Sequence, residues 1–469
     1  MRQPYLIKGR IISELKFERQ NPREAALDII IKVIEKGAYT NIEVFKSYGS
    51  GCYSELDRRF ILELAYGTIK RWNTLDWVLE KFVSKPLNKL QPAVKNILRM
   101  GAYQLLYMDR VPASAACNES VKLAKKFGNK GTVKFVNAVL RNISRKYRSI
   151  NDLDFPSITL DPVSHMSLKY SHPEWLVQRW IERYGIDDTI KLCKYNNKPP
   201  EHSVRINTYL TKVEEFKSLL TQEGIDFKNG KYCGEILIIE KNFGRLEIRE
   251  DLKKFYIPQS EPSALIGCIA GPAAGSMILD TCAAPGIKAT HLAQIMGNKG
   301  RIIALDIHRH RIELIKKNCQ RLGITCIEPH LMDARNAKDH LKEKFDLILV
   351  DAPCSGTGVL NRRADARWRK SPEEIKKVAQ LQKEILSGVI PLLKPGAPLV
   401  YSTCSLEPEE NQMQVDWVLN NYPELKQQNL KNFVPSEDLL WGEKGKVFHS
   451  LPHLHDLDGF FAVRFVKIV

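Results

Sequence analysis

Met277-Ile278-Leu279-Asp280-Thr281-Cys282-Ala283-Ala284-Pro285-Gly286-Ile287-Lys288 decides the architecture of this chain. A short apolar run stops at an acid, passes through a turn of small residues and re-enters as a helix. Such a turn exposes backbone N–H groups at a helix N-terminus, an anion site suited to phosphate or carboxylate. It is neither the G-x-G-x-x-G dinucleotide fingerprint nor a P-loop. From about residue 255 onward the alternation repeats. Strands fit 277–281, 301–306, 326–332, 345–351, 397–403 and 459–466, with helices between them. The pattern predicts a doubly wound α/β sheet with right-handed crossovers.

The ends of these strands carry the chemistry. Asp280, Asp306, Asp333 and Asp351 close four of them in succession. One strand-end Asp is commonly a helix cap. Four favour a nucleoside-type ligand, Asp306 being placed for a ribose diol. The missing dinucleotide fingerprint argues against NAD. Two strands end beside cysteines, in Asp351-Ala352-Pro353-Cys354-Ser355-Gly356 and Tyr401-Ser402-Thr403-Cys404-Ser405. Open α/β sheets place their ligand crevice at these strand ends. A free cysteine is often only a small buried hydrophobe. Two thiols presented into one crevice instead predict covalent catalysis.

Ten cysteines without C-x-x-C spacing argue against a disulfide framework or a zinc site and for a reducing cytoplasm. Cys52, Cys117, Cys193, Cys233, Cys268, Cys319 and Cys326 read as packing residues, and Cys282 as a contact in the turn. No apolar run reaches the length of a membrane span. The first twenty residues are basic but lack the apolar stretch of a secretory signal.

The net charge of +17 is lopsided: residues 1–150 hold 28 Lys and Arg against 13 Asp and Glu, the remainder 43 against 41. A basic front beside a near-neutral back predicts a polyanion-binding arm attached to a catalytic body. The front, 21–145, has helical periodicity throughout, from Asn21-Pro22 onward. Helices fit 55–70, 75–82, 92–108, 113–127 and 134–144. Lys122, Lys125, Lys126, Lys130, Lys134, Arg141, Arg145, Lys146 and Arg148 can form one basic face, and no acid interrupts 121–150. Residues 151–161 read as a linker. A helix at 174–184, strands at 202–207 and 234–239 and a helix at 213–223 read as a small α+β module. The expected domains are 1–150 (helical and basic), 151–254 (small α+β) and 255–469 (doubly wound α/β).

Taken together, these segments resemble the RNA 5-methylcytosine methyltransferases of the RsmB/Nop2/Sun family. The resemblance rests on the turn at 280–288, Asp306, the Asp351 to Gly358 block, Arg362 to Trp368, and Tyr401 to Ser405. Phe255 to Ser260 and Asp458 to Phe461 resemble its flanking motifs. The front helices resemble the RNA-binding factor NusB, including Val136-Asn137-Ala138-Val139-Leu140-Arg141. That combination points to the branch acting on 16S ribosomal RNA, whose family substrate is cytosine 967 in the standard numbering. The match spans nearly the whole chain and is weakest over 150–250.

The resemblance implies S-adenosylmethionine as methyl donor, 16S rRNA as partner, no metal and no membrane. It makes Cys404 the nucleophile, Cys354 the group assisting product release, and Asp351 the partner of the cytosine ring. It places Cys282, Ala283, Ala284, Pro285, Gly286, Ile287, Lys288, Asp306, Asp333 and Asp351 around the cofactor. The chemistry explains the second thiol: a thiolate adding at carbon 6 makes carbon 5 nucleophilic, and the methylated product stays tethered until a proton leaves carbon 5. One departure stands out. The family turn reads Pro-Gly-Gly-Lys, and here Ile287 replaces the second glycine. Because a β-branched residue resists positive φ, a looser approach to the cofactor is expected. The competing readings are a tRNA-directed enzyme of the same chemistry, a DNA-type enzyme using Cys354 as nucleophile, and a non-catalytic RNA-binding factor.

Overall fold

The computed structural model describes residues 21–40, 42–44 and 53–468. Residues 1–20 and Cys52 lie outside the described residues. The chain divides into two compact units, 1–173 and 174–469.

The first unit is helical. Asn21 caps helix Pro22–Lys36 by accepting the Arg23 N–H at 2.9 Å, Pro22 occupies the first helical position, and Gly37 ends the helix in the left-handed region. Helix Glu55–Lys70 begins with a Ser54–Asp57 capping box. Helix Pro92–Tyr107 is buried along most of its length, and its Arg99 is held bidentately by Asp76 at 2.7 and 2.6 Å. Helix Lys130–Lys146 turns Val136, Val139, Leu140 and Ile143 inward. Lys130, Lys134, Arg141 and Arg145 share its exposed side, since their spacing differs little from whole turns. All nine basic residues singled out above are exposed. Lys122 and Lys126 are paired with Glu119 and Glu24. Helix Pro162–Tyr170, which the sequence reading puts in the middle module, belongs here: Asn73 and Thr74 donate to the Ser167 and Leu168 carbonyls. Its burial depends on the front helices, a pairing that local periodicity does not encode.

The second unit opens with helical segment Glu174–Asn197, longer than the expected 174–184 and kinked at Gly185 (φ 77°). A four-stranded antiparallel sheet follows, ordered β2-β3-β1-β4, from β1 (His202–Ile206), β2 (Asp226–Asn229), β3 (Ile236–Lys241) and β4 (Tyr256–Pro258). Helix Val213–Gln222 packs Phe216 and Leu220 into its core. β4 comes from the stretch read above as the start of the methyltransferase part.

The larger sheet holds β5 (Met277–Asp280), β6 (Arg301–Asp306), β7 (Ile327–Leu331), β8 (Leu347–Asp351), β9 (Pro398–Thr403), β10 (Leu425–Gln427), β11 (Leu440–Trp441), β12 (Val447–Ser450) and β13 (Phe460–Lys467). Its order is β11-β12-β13-β9-β8-β5-β6-β7, with β10 on β13. β7, β6, β5, β8 and β9 are parallel; β13, β12, β11 and β10 join antiparallel. The sheet is therefore Rossmann-like and mixed. Successive residues face opposite sides, so Ile278, Ile302 and Leu349 enter one core and Leu279, Ile303 and Ile348 the other. Strand order reverses between β5 and β8, which opens the crevice at their carboxyl ends. No helix among the described residues is long and apolar enough to cross a membrane.

Candidate active site

β5 delivers Asp280 to this crevice, and the chain turns into helix Ile287–Ile295. Only Gly286 needs the left-handed region, at φ 92°, and a Cβ there would press on Ile315 at 3.3 Å. Ile287 is the first helical residue and is not among the positive-φ residues. This removes the premise of the looser approach expected at Ile287, because the demanding φ falls one residue earlier.

Asp280 is fully buried, and no hydrogen bond of ordinary geometry reaches either carboxyl oxygen. Burial, then the charge of Asp351, pushes its pKa up to about 7; Lys288 and the Cys282 N–H pull the other way. Such an orphaned carboxyl fits a cationic or N–H-bearing ligand group. Asp306, at the end of β6, is also buried. It accepts the His308 N–H at 2.9 Å, and Arg311 stands 3.6 Å from its other oxygen. Asp333 is occupied by Arg335, whose Nη2 lies 2.7 Å away and whose guanidinium lowers its pKa. Lys288 bridges to Asp351 at 2.6 Å and lies 5.4 Å above the Phe460 ring. The other Asp351 oxygen accepts the Ser402 hydroxyl at 2.8 Å.

β8 and β9 run side by side with Asp351 opposite Ser402. The loops beyond them bring Cys354 Sγ to 3.1 Å from Cys404 Sγ. The Gly358 N–H donates to the Cys404 carbonyl at 3.0 Å, and Gly358 lies so close to Gly459 that neither could carry a side chain unmoved. The two thiols differ in their neighbours. The pKa of Cys404 is lowered, first by the hydrogen bond from Cys354 and then by Arg363 and Lys288, with burial and Asp351 opposing. The pKa of Cys354 is raised well above its ordinary value by that hydrogen bond, by burial, by the charge on Cys404 and by Glu410. A thiolate held by a neighbouring thiol is an activated nucleophile. Cys282, Cys117 and Cys193 are raised by burial, as are Cys319 (to about 11) and Cys326. Among the described residues no group of His, Cys, Asp and Glu is arranged to hold a metal ion.

Sequence reasoning missed three contributors. Arg363 lies within the quoted Arg362 to Trp368 block, but nothing in its spacing points to Cys404. Glu410 binds the residues after both thiols and is buried although Pro408 and Glu409 before it are partly exposed, so nothing in the acid-rich 407–410 marks it as the inward carboxylate. Arg205 is a lone cation between Val204 and Ile206, 1% exposed. It donates to the Ile287 carbonyl at 3.0 Å, to Thr290 at 3.2 Å, to Gln294 at 3.3 Å and to Gln259, so the small sheet grips the helix behind the turn.

Residues 268–466 match the family described as 16S rRNA methyltransferase RsmB/F, 20–145 match the NusB family, and 172–244 match the ferredoxin-like domain of RsmF/B-like methyltransferases. A "Probable ribosomal RNA small subunit methyltransferase B" of Bacillus subtilis (strain 168) is 35% identical over 95% of this chain and 98% of its own length. The chain belongs to the RsmB/F family of rRNA methyltransferases. A relative of the same name from Synechocystis is 33% identical over 95% of this RsmB/F chain and 99% of its own. The solved structure of PH0851 superposes with a TM-score of 0.81 at 26% identity, covering 94% of this RsmB/F chain and 98% of its own. A methyltransferase homolog protein from Pyrococcus horikoshii, at 28% identity and a TM-score of 0.57, covers 65% and 99% respectively.

Proposed function

We propose that this protein methylates carbon 5 of a cytosine in 16S rRNA, cytosine 967 in the standard numbering, through a covalent bond between Cys404 and the base. The thiol pair carries the reading: two sulfurs 3.1 Å apart, one favoured as thiolate and the other held as thiol. Resemblance to the RsmB/Nop2/Sun family and the names of the relatives support the substrate.

The Cys404 thiolate adds at carbon 6 of the ring, and the displaced π electrons move toward the ring nitrogen facing Asp351. Carbon 5 thereby becomes nucleophilic. S-adenosylmethionine, when bound, supplies an electrophilic methyl group. Residues 282–288 and Asp280 would hold its amino-acid end, Asp306 its ribose, and the Asp333 strand end would border its adenine. Once Cys404 is bonded to carbon, its charge and its hydrogen bond to Cys354 are gone. Two of the causes that raise Cys354 go with them while burial and Glu410 remain, so Cys354 gives up its proton, to solvent, more readily after attack than before it. As a thiolate it takes the carbon 5 proton, the carbon 6–sulfur bond breaks, and the Cys404 thiolate is regenerated. The target base must leave its stack to reach the crevice.

The basic helical unit binds the RNA backbone in this reading, and 172–244 acts as an RNA-recognition-like module. Both thiols stay free in a reducing cytoplasm. The test is incorporation of labelled methyl into deproteinised 16S rRNA from cells lacking the gene, with mapping of the modified base. Label at carbon 5 of one cytosine is expected; label at another atom contradicts the reading.

A further inference from the structure

One buried acid touches both thiol loops. Glu410 lies in the short helical turn Pro408–Glu410 after β9 and is fully buried. One carboxyl oxygen accepts the Ser355 backbone N–H at 2.7 Å and the Gln382 amide at 3.3 Å. The other accepts the hydroxyls of both Ser355 and Ser405, which stand 3.0 Å from each other. Ser355 follows Cys354 and Ser405 follows Cys404. The Tyr401 hydroxyl, donating to the Glu410 carbonyl at 2.6 Å, anchors the main chain of this acid to β9. Four donors converge on one carboxylate, the arrangement that a buried ionised acid requires.

We infer that Glu410 is a positioning residue for the thiol pair: by joining the residues after Cys354 and Cys404, it keeps the two sulfurs in register. The inference rests on the two-thiol reading above. A packing role alone would be met by any residue filling the space, but this one ties both loops by name. The carboxylate also gives the pair part of its asymmetry. Glu410 is counted among the groups that raise Cys354, whereas Cys404 is lowered by Arg363 and Lys288. The titratable groups facing the cluster are Cys354, Cys404, Asp351, Tyr401 and Glu407, with Lys288 and Arg363 on the Cys404 side.

The test compares Glu410→Ala and Glu410→Gln in the full-length protein, with a 16S rRNA fragment as substrate. The alanine variant loses the tie. Covalent protein–RNA complex is expected to accumulate while kcat falls about a hundredfold, the scale of a lost acid–base group, with KM for RNA nearly unchanged. The glutamine variant keeps an acceptor for the Ser355 N–H but loses the charge. It should restore turnover to within about tenfold, and the pH at which adduct breakdown is half-maximal should drop by about one unit, the scale of a removed neighbouring anion. Alanine variant turnover without trapped complex, or loss of attack together with turnover, overturns the inference. So does a glutamine variant with an unmoved breakdown profile, and this measurement decides if the alanine variant does not fold. If the wild-type protein itself forms no adduct and transfers no methyl group, the two-thiol reading has failed; if it does both and the variants behave like it, only the role of Glu410 has failed.

Discussion

The ends of β8 and β9 are near copies of one another. Each is a buried parallel strand that runs into a loop carrying a cysteine and then a serine. Their sulfurs stand 3.1 Å apart, yet one is driven toward the thiolate and the other away from it. Residue type does not explain this, and neither does burial, which opposes ionisation at both. The hydrogen bond between the two thiols does so first, Cys354 donating to Cys404, and the neighbours add to it: Arg363 and Lys288 beside Cys404, Glu410 beside Cys354. The same side chain thus receives opposite protonation from its partner thiol and from the charges facing it.

The largest expected effect breaks the pair outright. Cys404→Ala should lower single-turnover methyl transfer by about four orders of magnitude, as loss of a nucleophile does. Its affinity for S-adenosylmethionine, measured by calorimetry, should stay within about twofold. A milder change acts on the charge beside Cys404. Arg363→Gln removes a cation that lowers this pKa, so the pKa rises and less thiolate is present at a given pH. The acid limb of the attack rate should move up by about one unit, giving roughly tenfold slower attack below it.

Asp280 offers a smaller effect, away from the thiols. Its folded pKa, about 7, lies above that of a free Asp, so the unliganded protein binds an extra proton between the two values. That acid therefore contributes stability that is lost as pH rises toward 7. A cationic ligand group beside it lowers its pKa, so cofactor binding near pH 7 should release a proton and tighten as pH rises. Calorimetry in buffers of different ionisation enthalpy reads this directly. Asp280→Asn should abolish the release and weaken binding by a few-fold. The smallest effect lies in the helical unit. Lys134→Ala and Arg141→Ala should each weaken RNA binding only modestly and reduce the salt slope by about one, leaving the behaviour of the two thiols untouched.

The order of the large sheet's elements was legible because buried parallel strands are short apolar runs ended by turn residues, and six of its strands end within one residue of the expected places. The thiol pair was legible as two motifs, since both follow such strands. What was not legible has a common cause. β10, β11 and β12 are two to four residues long, below the length at which alternation is detectable. Helix Pro162–Tyr170 owes its place to hydrogen bonds with residues about 94 positions away. Arg205 and Glu410 act through contacts across loops and between sheets: a single charge in the apolar run around Arg205 announces an unknown partner without naming it, and one of the three acids in 407–410 is not marked as the one that ties the loops. The positive φ assumed for Ile287 falls instead on Gly286 for a local reason: composition locates the turn, but not which residue in it carries the positive φ.

The central claim is that Cys404 attacks and Cys354 releases. Wild-type protein and the Cys354→Ala, Cys404→Ala and double variants, incubated with a 16S rRNA fragment and S-adenosylmethionine and run on a denaturing gel, test it directly. Cys354→Ala should accumulate a covalent protein–RNA band, and Cys404→Ala and the double variant should form none. A band from Cys404→Ala and none from Cys354→Ala would reverse the roles, and a band from the double variant would place the nucleophile elsewhere.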